Sequence, residues 1–170
     1  MLQADELRLG LHGQRRRVLA PKGVKIVQRL QIEYHWRYLF LGVDPRLGTL
    51  TWHWLGRCRQ EHLKPVLKDW HPHAIVWDGA GAHRGKTLRD LPLARIFLPP
   101  YSPELNPAER IFQEIRRRVE GRGYASLDQK QAEVEAYLHD LAADGERVKR
   151  LCGWDWLSDA FLALPRHASS

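Results

Sequence analysis

Cysteine and long apolar runs are both scarce in this sequence. Cys58 and Cys152 are the only cysteines among 170 residues, and no CxxC pair occurs. This scarcity excludes a disulfide framework and a zinc site built from cysteines, and it is typical of a reducing compartment. No apolar run approaches the roughly 20 residues of a membrane span, and charged residues begin at Asp5. We therefore expect no membrane span, no signal peptide and a cytoplasmic location.

The charge is unbalanced towards the basic side. The sequence has 27 Lys and Arg against 20 Asp and Glu, and its isoelectric point is near 9.7. Most of these cations are arginines, whose guanidinium groups bind phosphate oxygens in a bidentate manner. This favours a polyanionic partner, although charge alone is equally compatible with a basic protein that binds no nucleic acid. Hydrophobic residues make up 44%, which is enough for a single domain over residues 1–170.

The first third of the chain has the composition of β-strands. Its stretches of Val, Ile, Tyr, Trp and Leu predict strands at 1–13, 24–34, 36–43 and 49–55. The segment 44–48 is typical of a hairpin connection between the last two. An antiparallel meander of three or more strands is therefore predicted.

From residue 57 onwards, helices alternate with short strands. We predict strands at 74–78 and 94–98, and helices at 57–70, 84–90, 107–121, 126–145 and 146–164. Pro65 is expected to kink or split the first helix, whereas Asn106 and Ser126 have the side-chain chemistry of helix N-caps. The order of elements predicts an α/β fold with a mixed sheet, an antiparallel meander plus parallel strands, flanked by helices.

Three carboxylates fall where a shared site can form. Asp78 ends an apolar strand, and ligands tend to bind at the carboxyl ends of strands in α/β sheets. Glu109 lies in the first turn of a predicted helix, at the edge of its apolar stripe. Asp5 and Glu6 point to opposite faces of the first strand, and we choose Asp5 because Leu7 and the next alternate leucines share its face.

Each carboxylate also has an ordinary explanation. Asp78 could be a turn residue, Glu109 could complement a helix dipole, and Asp5 could be a polar start to the chain. Taken together, however, they are the oxygen ligands that two divalent cations such as Mg²⁺ need. Two such ions can activate an attacking hydroxyl and stabilise the leaving oxygen of a phosphodiester. The residues therefore predict metal-dependent phosphoryl transfer on a DNA backbone.

Three motifs resemble those of DDE transposases of the IS630/Tc1/mariner superfamily. The string IFLPPYSPELNPAERIF at 96–112 is similar to the family's third acidic motif and is the most specific of the three. VWDGAGAHRGK at 76–86 resembles the second-aspartate motif. ADELRLGLHG at 4–13, followed by RRRVLAPKG at 15–23, resembles the first-aspartate strand and its basic turn. The motifs occur in the family's order, from residue 4 to residue 112.

This resemblance implies an RNase H-like fold and a cut-and-paste DNA transposase that cleaves and transfers strands. It implies a two-metal site of Mg²⁺ or Mn²⁺ held by the catalytic residues Asp5, Asp78 and Glu109, with His83 and Asn106 at auxiliary positions. The implied partners are transposon ends, target DNA and further copies of the chain, at the nucleoid of a prokaryote. Family members carry N-terminal helix-turn-helix domains that are not seen in this sequence. Two explanations stay open: a split transposase with a helix-turn-helix protein in trans, and a decayed copy.

Two basic clusters are candidate DNA contacts. Phosphate contacts position DNA without reading its sequence, and the candidates are Arg15, Arg16, Arg17, Lys22, Lys25, Arg116 and Arg117. A solvated basic surface is the ordinary alternative. Two other functions also stay open: an RNase H-fold nuclease that joins no strands, and a non-catalytic DNA-binding or oligomerisation remnant of a transposase.

Overall fold

A single mixed sheet forms the centre of the molecule. The computed structural model describes residues 1–11, 19–27 and 33–154. The strands are β1 (Leu2–Gly10), β2 (Trp36–Asp44), β3 (Thr49–Leu55), β4 (Ala74–Trp77) and β5 (Ala94–Phe97). Their spatial order is β3-β2-β1-β4-β5. The first three strands are antiparallel neighbours, whereas β4 pairs in parallel with both β1 and β5. The predicted meander with added parallel strands is confirmed.

Helices cover both faces of this sheet. They are α1 (Gln60–Trp70), α2 (Ala108–Val119), α3 (Leu127–Ala142) and α4 (Gly145–Cys152). Helix α1 packs on one face, and the other three pack on the opposite face. None of the helices in the described ranges has the length and apolar character that a membrane crossing requires.

Alternation along the strands separates two cores. Leu39 and Leu41 of β2 pack towards α2, α3 and α4, whereas Phe40 between them packs towards α1. On β1, Leu7 joins the first cluster and Ala4 joins the second. Because side chains on a strand alternate between faces, Asp5 lies on the α2 side of the sheet and Glu6 on the α1 side.

The predicted strand at 24–34 is wrong for those of its residues that the structure describes. Residues 24–27 and 33–34 belong to no strand, and Val24 and Val27 are exposed. Strand-forming residues favour a strand only when their side chains pack against neighbours on a sheet, whereas the side chains of Val24 and Val27 face solvent. Residues 28–32 lie outside the described ranges.

Several other boundaries differ from the prediction. Helix α1 is not split, because it continues through Pro65, and the buried Leu63 and Leu67 on either side pack against the sheet. The helix predicted at 84–90 is only a short 3₁₀ turn, Lys86–Leu88. The predicted tail helix corresponds to α4, and residues 155–170 lie outside the described ranges.

Candidate active site

A cavity of about 410 Å³ opens where β4 and β5 end. Asp5 of β1, Asp78 just after β4 and Glu109 in the first turn of α2 all line it. The rest of its wall is the loop 98–103 with Gly79, Ala80, Arg84 and Asn106. Three carboxylates that are distant in sequence therefore share one cavity, because the order of the strands puts β1 next to β4.

Asp5 is held by two hydrogen bonds at the base of the site. Its carboxylate accepts from the Glu6 N–H at 2.8 Å and from Asn106 Nδ2 at 3.2 Å. Burial raises the pKa of Asp5 to about 7; the Glu6 N–H opposes this shift, and the carboxylates of Glu6, Glu109 and Asp78 reinforce it. A bound cation would remove this electrostatic cost, so the surroundings of Asp5 suit a metal ligand.

Asp78 is half-exposed, but a buried histidine holds it from beneath. Its Oδ1 accepts from the Ala80 N–H at 3.0 Å and lies 2.6 Å from His83 Nδ1. The other ring nitrogen of His83 lies 2.9 Å from Glu6 Oε1. Burial alone lowers the pKa of His83, yet the contacts with Glu6 and Asp78 raise it to about 9. Both ring nitrogens therefore donate, and His83 supports Asp78 from below the cavity.

Glu109 is paired with a cation that it can give up. Its carboxylate lies 3.1 Å from Arg116 Nη1, and both side chains are partly exposed. Exposed pairs of this kind contribute about 0–1 kcal/mol to stability. Glu109 is therefore free to exchange this arginine for a cation in the cavity.

Asn106 connects the helix of Glu109 to the strand of Asp5. Its Oδ1 accepts from the Ala108 N–H at 3.1 Å, which caps the start of α2 as the sequence indicated. Its Nδ2 donates to the Ala4 carbonyl at 3.1 Å as well as to Asp5. The buried amide thus fixes the relative position of two of the three carboxylates.

The predicted DNA-binding residues are spread over several surfaces. Lys22 and Lys25 are exposed, and Arg117 is paired with Glu114. Arg116 also lines a narrow cleft whose wall includes three further cations, Arg8, Arg122 and Lys130. The prediction for Arg15, Arg16 and Arg17 lies outside the described residues.

Three residues near the site were not selected from the sequence. Arg84 lines the cavity, donates to the Gly79 carbonyl at 3.0 Å and lies over the Phe97 ring. Tyr101, also in the cavity wall, is fully exposed and has a φ of 60°. Both lie inside the quoted motifs, so the motifs could have identified them. Glu6, the partner of His83, also lies inside a quoted motif, but it was set aside because it lies on the opposite face of β1 from Asp5.

Comparisons with known proteins agree with this fold. Residues 1–131 match the family model of the DDE superfamily endonucleases. The chain is 39% identical over 90 residues to the uncharacterized protein y4pE/y4sA of Sinorhizobium fredii, a match that covers 48% of this chain and 66% of that protein.

Solved transposase structures share the architecture. The Mos1 strand transfer complex matches with a TM-score of 0.67 and 15% identity, covering 89% of this chain and 50% of that one. The Mos1 mariner paired end complex with Mn matches at 0.64 and 16%, and the complex with Mg at 0.62 and 19%, each covering 89% of this chain and 51% of the other. The chain thus spans about half the length of these solved chains, and at such identities the likeness establishes the RNase H-like fold alone. The family match extends over most of the chain, which therefore belongs to the DDE superfamily endonuclease family.

Proposed function

We propose that this chain is the catalytic domain of a DNA transposase, which cleaves DNA strands and transfers them to a target. The observation that carries this proposal is the convergence of Asp5, Asp78 and Glu109 on one open cavity. In the proposal these three residues are the metal-binding and catalytic residues. The match to the DDE superfamily endonucleases supports it.

The residues of the cavity fit Mg²⁺ or Mn²⁺. Both ions prefer oxygen ligands, and Mg²⁺ keeps several waters and substrate phosphates in its shell. Within the described ranges, no three Asp, Glu, His or Cys side chains are arranged to hold a metal ion by themselves. A pair of ions that also takes phosphate and water oxygens needs no such protein cage. The raised pKa of Asp5, caused by burial and then reinforced by neighbouring carboxylates, supports the same assignment.

In the proposal, other side chains of this chain orient the metal ligands and bind the substrate. When bound, the cations would activate the attacking hydroxyl and stabilise the leaving oxygen of a phosphodiester. Asn106 orients Asp5 and fixes the start of α2, while His83 orients Asp78. The Arg84 guanidinium lies in the cavity wall close to Asp78, where it can bind a phosphate oxygen of the scissile strand.

Basic residues around the cavity provide a path for the DNA backbone. Arg116 connects the cavity with the cleft that carries Arg8, Arg122 and Lys130, since it contacts Glu109 and also lines that cleft. We also propose phosphate contacts for Arg117, for the exposed Lys22 and Lys25, and for Arg15, Arg16 and Arg17. Such contacts hold phosphates in register and are independent of base sequence.

The wider assembly is also part of the proposal. DNA ends and a target duplex are the substrates, and two or more copies of the chain act together on them. In the proposal, a helix-turn-helix module recognises the ends, either on the same polypeptide or on a separate protein. A DNA substrate of this kind implies work at the nucleoid, in the cytoplasm of a prokaryote.

A cleavage and joining assay tests the proposal directly. Pre-cut DNA ends carrying the 3′-hydroxyl, a supercoiled target and Mn²⁺ replace the steps that need end recognition. The unmutated chain should nick and join DNA, and Asp78→Asn should reduce both by on the order of a thousandfold or more, because the ligand charge is removed. Asp69→Asn, an exposed change on α1, is the matched control and should have no effect.

The other outcomes identify the alternatives. Nicking without joining would favour an RNase H-fold nuclease. Metal-independent DNA binding, with no nicking by either the unmutated chain or Asp78→Asn, would favour the non-catalytic remnant and overturn the proposal.

A further inference from the structure

The main-chain pairing between β1 and β4 ends before it reaches Asp5 and Asp78, two of the candidate metal ligands. Strands β1 and β4 pair only at Leu2 with Ile75 and at Gln3 with Val76. Asp5 and Asp78 each lie two residues beyond the second pair. The main-chain ladder therefore does not set the separation or orientation of these two carboxylates.

A buried pair of side chains crosses this gap from the other face of the sheet. Glu6, next to Asp5, places its two carboxylate oxygens 2.9 and 3.1 Å from His83 Nε2. The opposite nitrogen of the same ring lies 2.6 Å from Asp78 Oδ1 and 3.1 Å from the Asp78 carbonyl. One imidazole therefore connects the residue after Asp5 with both the side chain and the main chain of Asp78.

The surroundings prevent this ring from turning. His83 is fully buried, and the Glu6 side chain is only 10% exposed. The imidazole stacks on the Trp77 ring with centroids 4.2 Å apart and an angle of 8° between the planes. Each group in the contact is thus restrained by packing as well as by hydrogen bonds.

We propose that Glu6 is a positioning residue: acting through His83, it orients the Asp78 carboxylate towards the cavity and sets its distance from Asp5. The inference rests on the proposed function in one respect, the assignment of Asp5 and Asp78 as metal ligands. Burying a carboxylate and an imidazole carries a desolvation cost, and packed apolar side chains of similar volume often stabilise a fold as well or better. A role in orienting Asp78 accounts for this contact, because residues that hydrogen-bond to metal ligands orient those ligands in other proteins.

Direct Mn²⁺ binding to the full chain without DNA is the test, read by electron paramagnetic resonance. Glu6→Ala should raise the Mn²⁺ dissociation constant about tenfold or more, as loss of a partner of metal ligands does elsewhere. Glu6→Gln should have a smaller effect, because its amide oxygen still accepts from His83 Nε2. Glu104→Ala is the matched control, since it removes an exposed carboxylate near the site that has no contact with His83; it should leave the constant unchanged.

A purely structural role predicts a different result. Glu6→Ala would then lower the melting temperature but leave the Mn²⁺ dissociation constant within about twofold of the unmutated value, well short of the effect of a ligand-orienting partner. That result would overturn the inference. If Glu6→Ala does not fold, Glu6→Gln is the deciding variant. An unchanged Mn²⁺ dissociation constant then overturns the inference, and a raised one supports it.

Failure of the proposed function gives its own result. If the unmutated chain bound no Mn²⁺, the metal assignment would fall. Metal-free crystal structures of the unmutated chain and Glu6→Gln would then decide the positioning role. A changed Asp78 rotamer in the variant supports it, and an unchanged one overturns it.

Discussion

Asn106 donates a hydrogen bond to Asp5 across 3.2 Å, and it is the same residue that caps the helix carrying Glu109. One buried amide therefore stabilises α2 and orients a candidate metal ligand on β1. Because 101 residues separate the two partners in sequence, the contact also ties the beginning of the chain to its middle.

Replacing this amide should be more costly than losing an ordinary helix cap. Asn106→Ala removes the cap, worth about 1 kcal/mol, and leaves the buried Ala4 carbonyl without its donor, worth about 1–3 kcal/mol more. We expect urea denaturation to show a total loss of about 2–4 kcal/mol. Ser126→Ala, which removes only the cap of α3, should cost about 1 kcal/mol; equal losses in the two variants would contradict the double role.

Gly48 and Gly121 separate the stability cost of a positive φ from the stability cost of a steric clash. Both have positive φ, 70° and 79°, which costs a non-glycine residue about 1–2 kcal/mol. A Cβ on Gly48 would lie 2.2 Å from the Gly145 carbonyl oxygen, whereas a Cβ on Gly121 would meet nothing within 4 Å. Gly121→Ala should therefore lose about 1–2 kcal/mol and Gly48→Ala more than about 3 kcal/mol by chemical denaturation. Similar losses would mean that the hairpin moves freely away from α4.

Replacing Tyr101 with glycine should change stability and DNA binding in opposite directions. Its φ of 60° is unfavourable for a side chain that is fully exposed, so Tyr101→Gly should raise the free energy of unfolding by about 0.5–1 kcal/mol. We expect the same variant to bind DNA more weakly, because Tyr101 lines the cavity. Leu47→Gly, at an exposed turn position without positive φ, should lower stability instead. A less stable Tyr101→Gly would show that the tyrosine is held by packing.

Arg84 should matter to catalysis more than to metal binding. Arg84→Ala removes a cation from a cavity lined by carboxylates, so Mn²⁺ should bind the variant at least as tightly as before. Strand cleavage should fall by about 10- to 100-fold, because the variant lacks a donor to the scissile phosphate. Arg89→Ala, an exposed change in the same segment, is the control. Weaker Mn²⁺ binding by Arg84→Ala would point to a structural role.

The cationic clusters should determine the salt dependence of DNA binding. Changing Arg15, Arg16 and Arg17 together to Ala should flatten the slope of log K against log salt by up to about 0.9 for each phosphate that the variant no longer neutralises. A charge-matched triple change on the α1 side of the sheet, at Lys64, Lys68 and Arg89, should leave the slope unaltered. An unchanged slope in the first variant would make those arginines ordinary solvated surface.

Local patterns in the sequence were sufficient for much of the fold. Alternation predicted that Asp5 shares its face with Leu7, and the structure packs Leu7 against α2 on that side. The chemistry of Ser126 predicted a cap, and its Oγ accepts from the Gln129 N–H at 3.1 Å. These features depend on neighbours within a few residues, so the local sequence contains the information. Residues 24–27 had the same local signal, but Val24 and Val27 are exposed, and there the prediction was wrong.

The sequence by itself determined the strand faces, the motifs and therefore the family, because each depends on residue order alone. Only the tertiary structure decided that Glu6 supports Asp78 through His83 and that Asn106 reaches Asp5. These contacts span 77 and 101 residues. They exist because the sheet places β1 beside β4 and packs α2 across β1, and long-range pairing of this kind leaves no periodic mark in the chain.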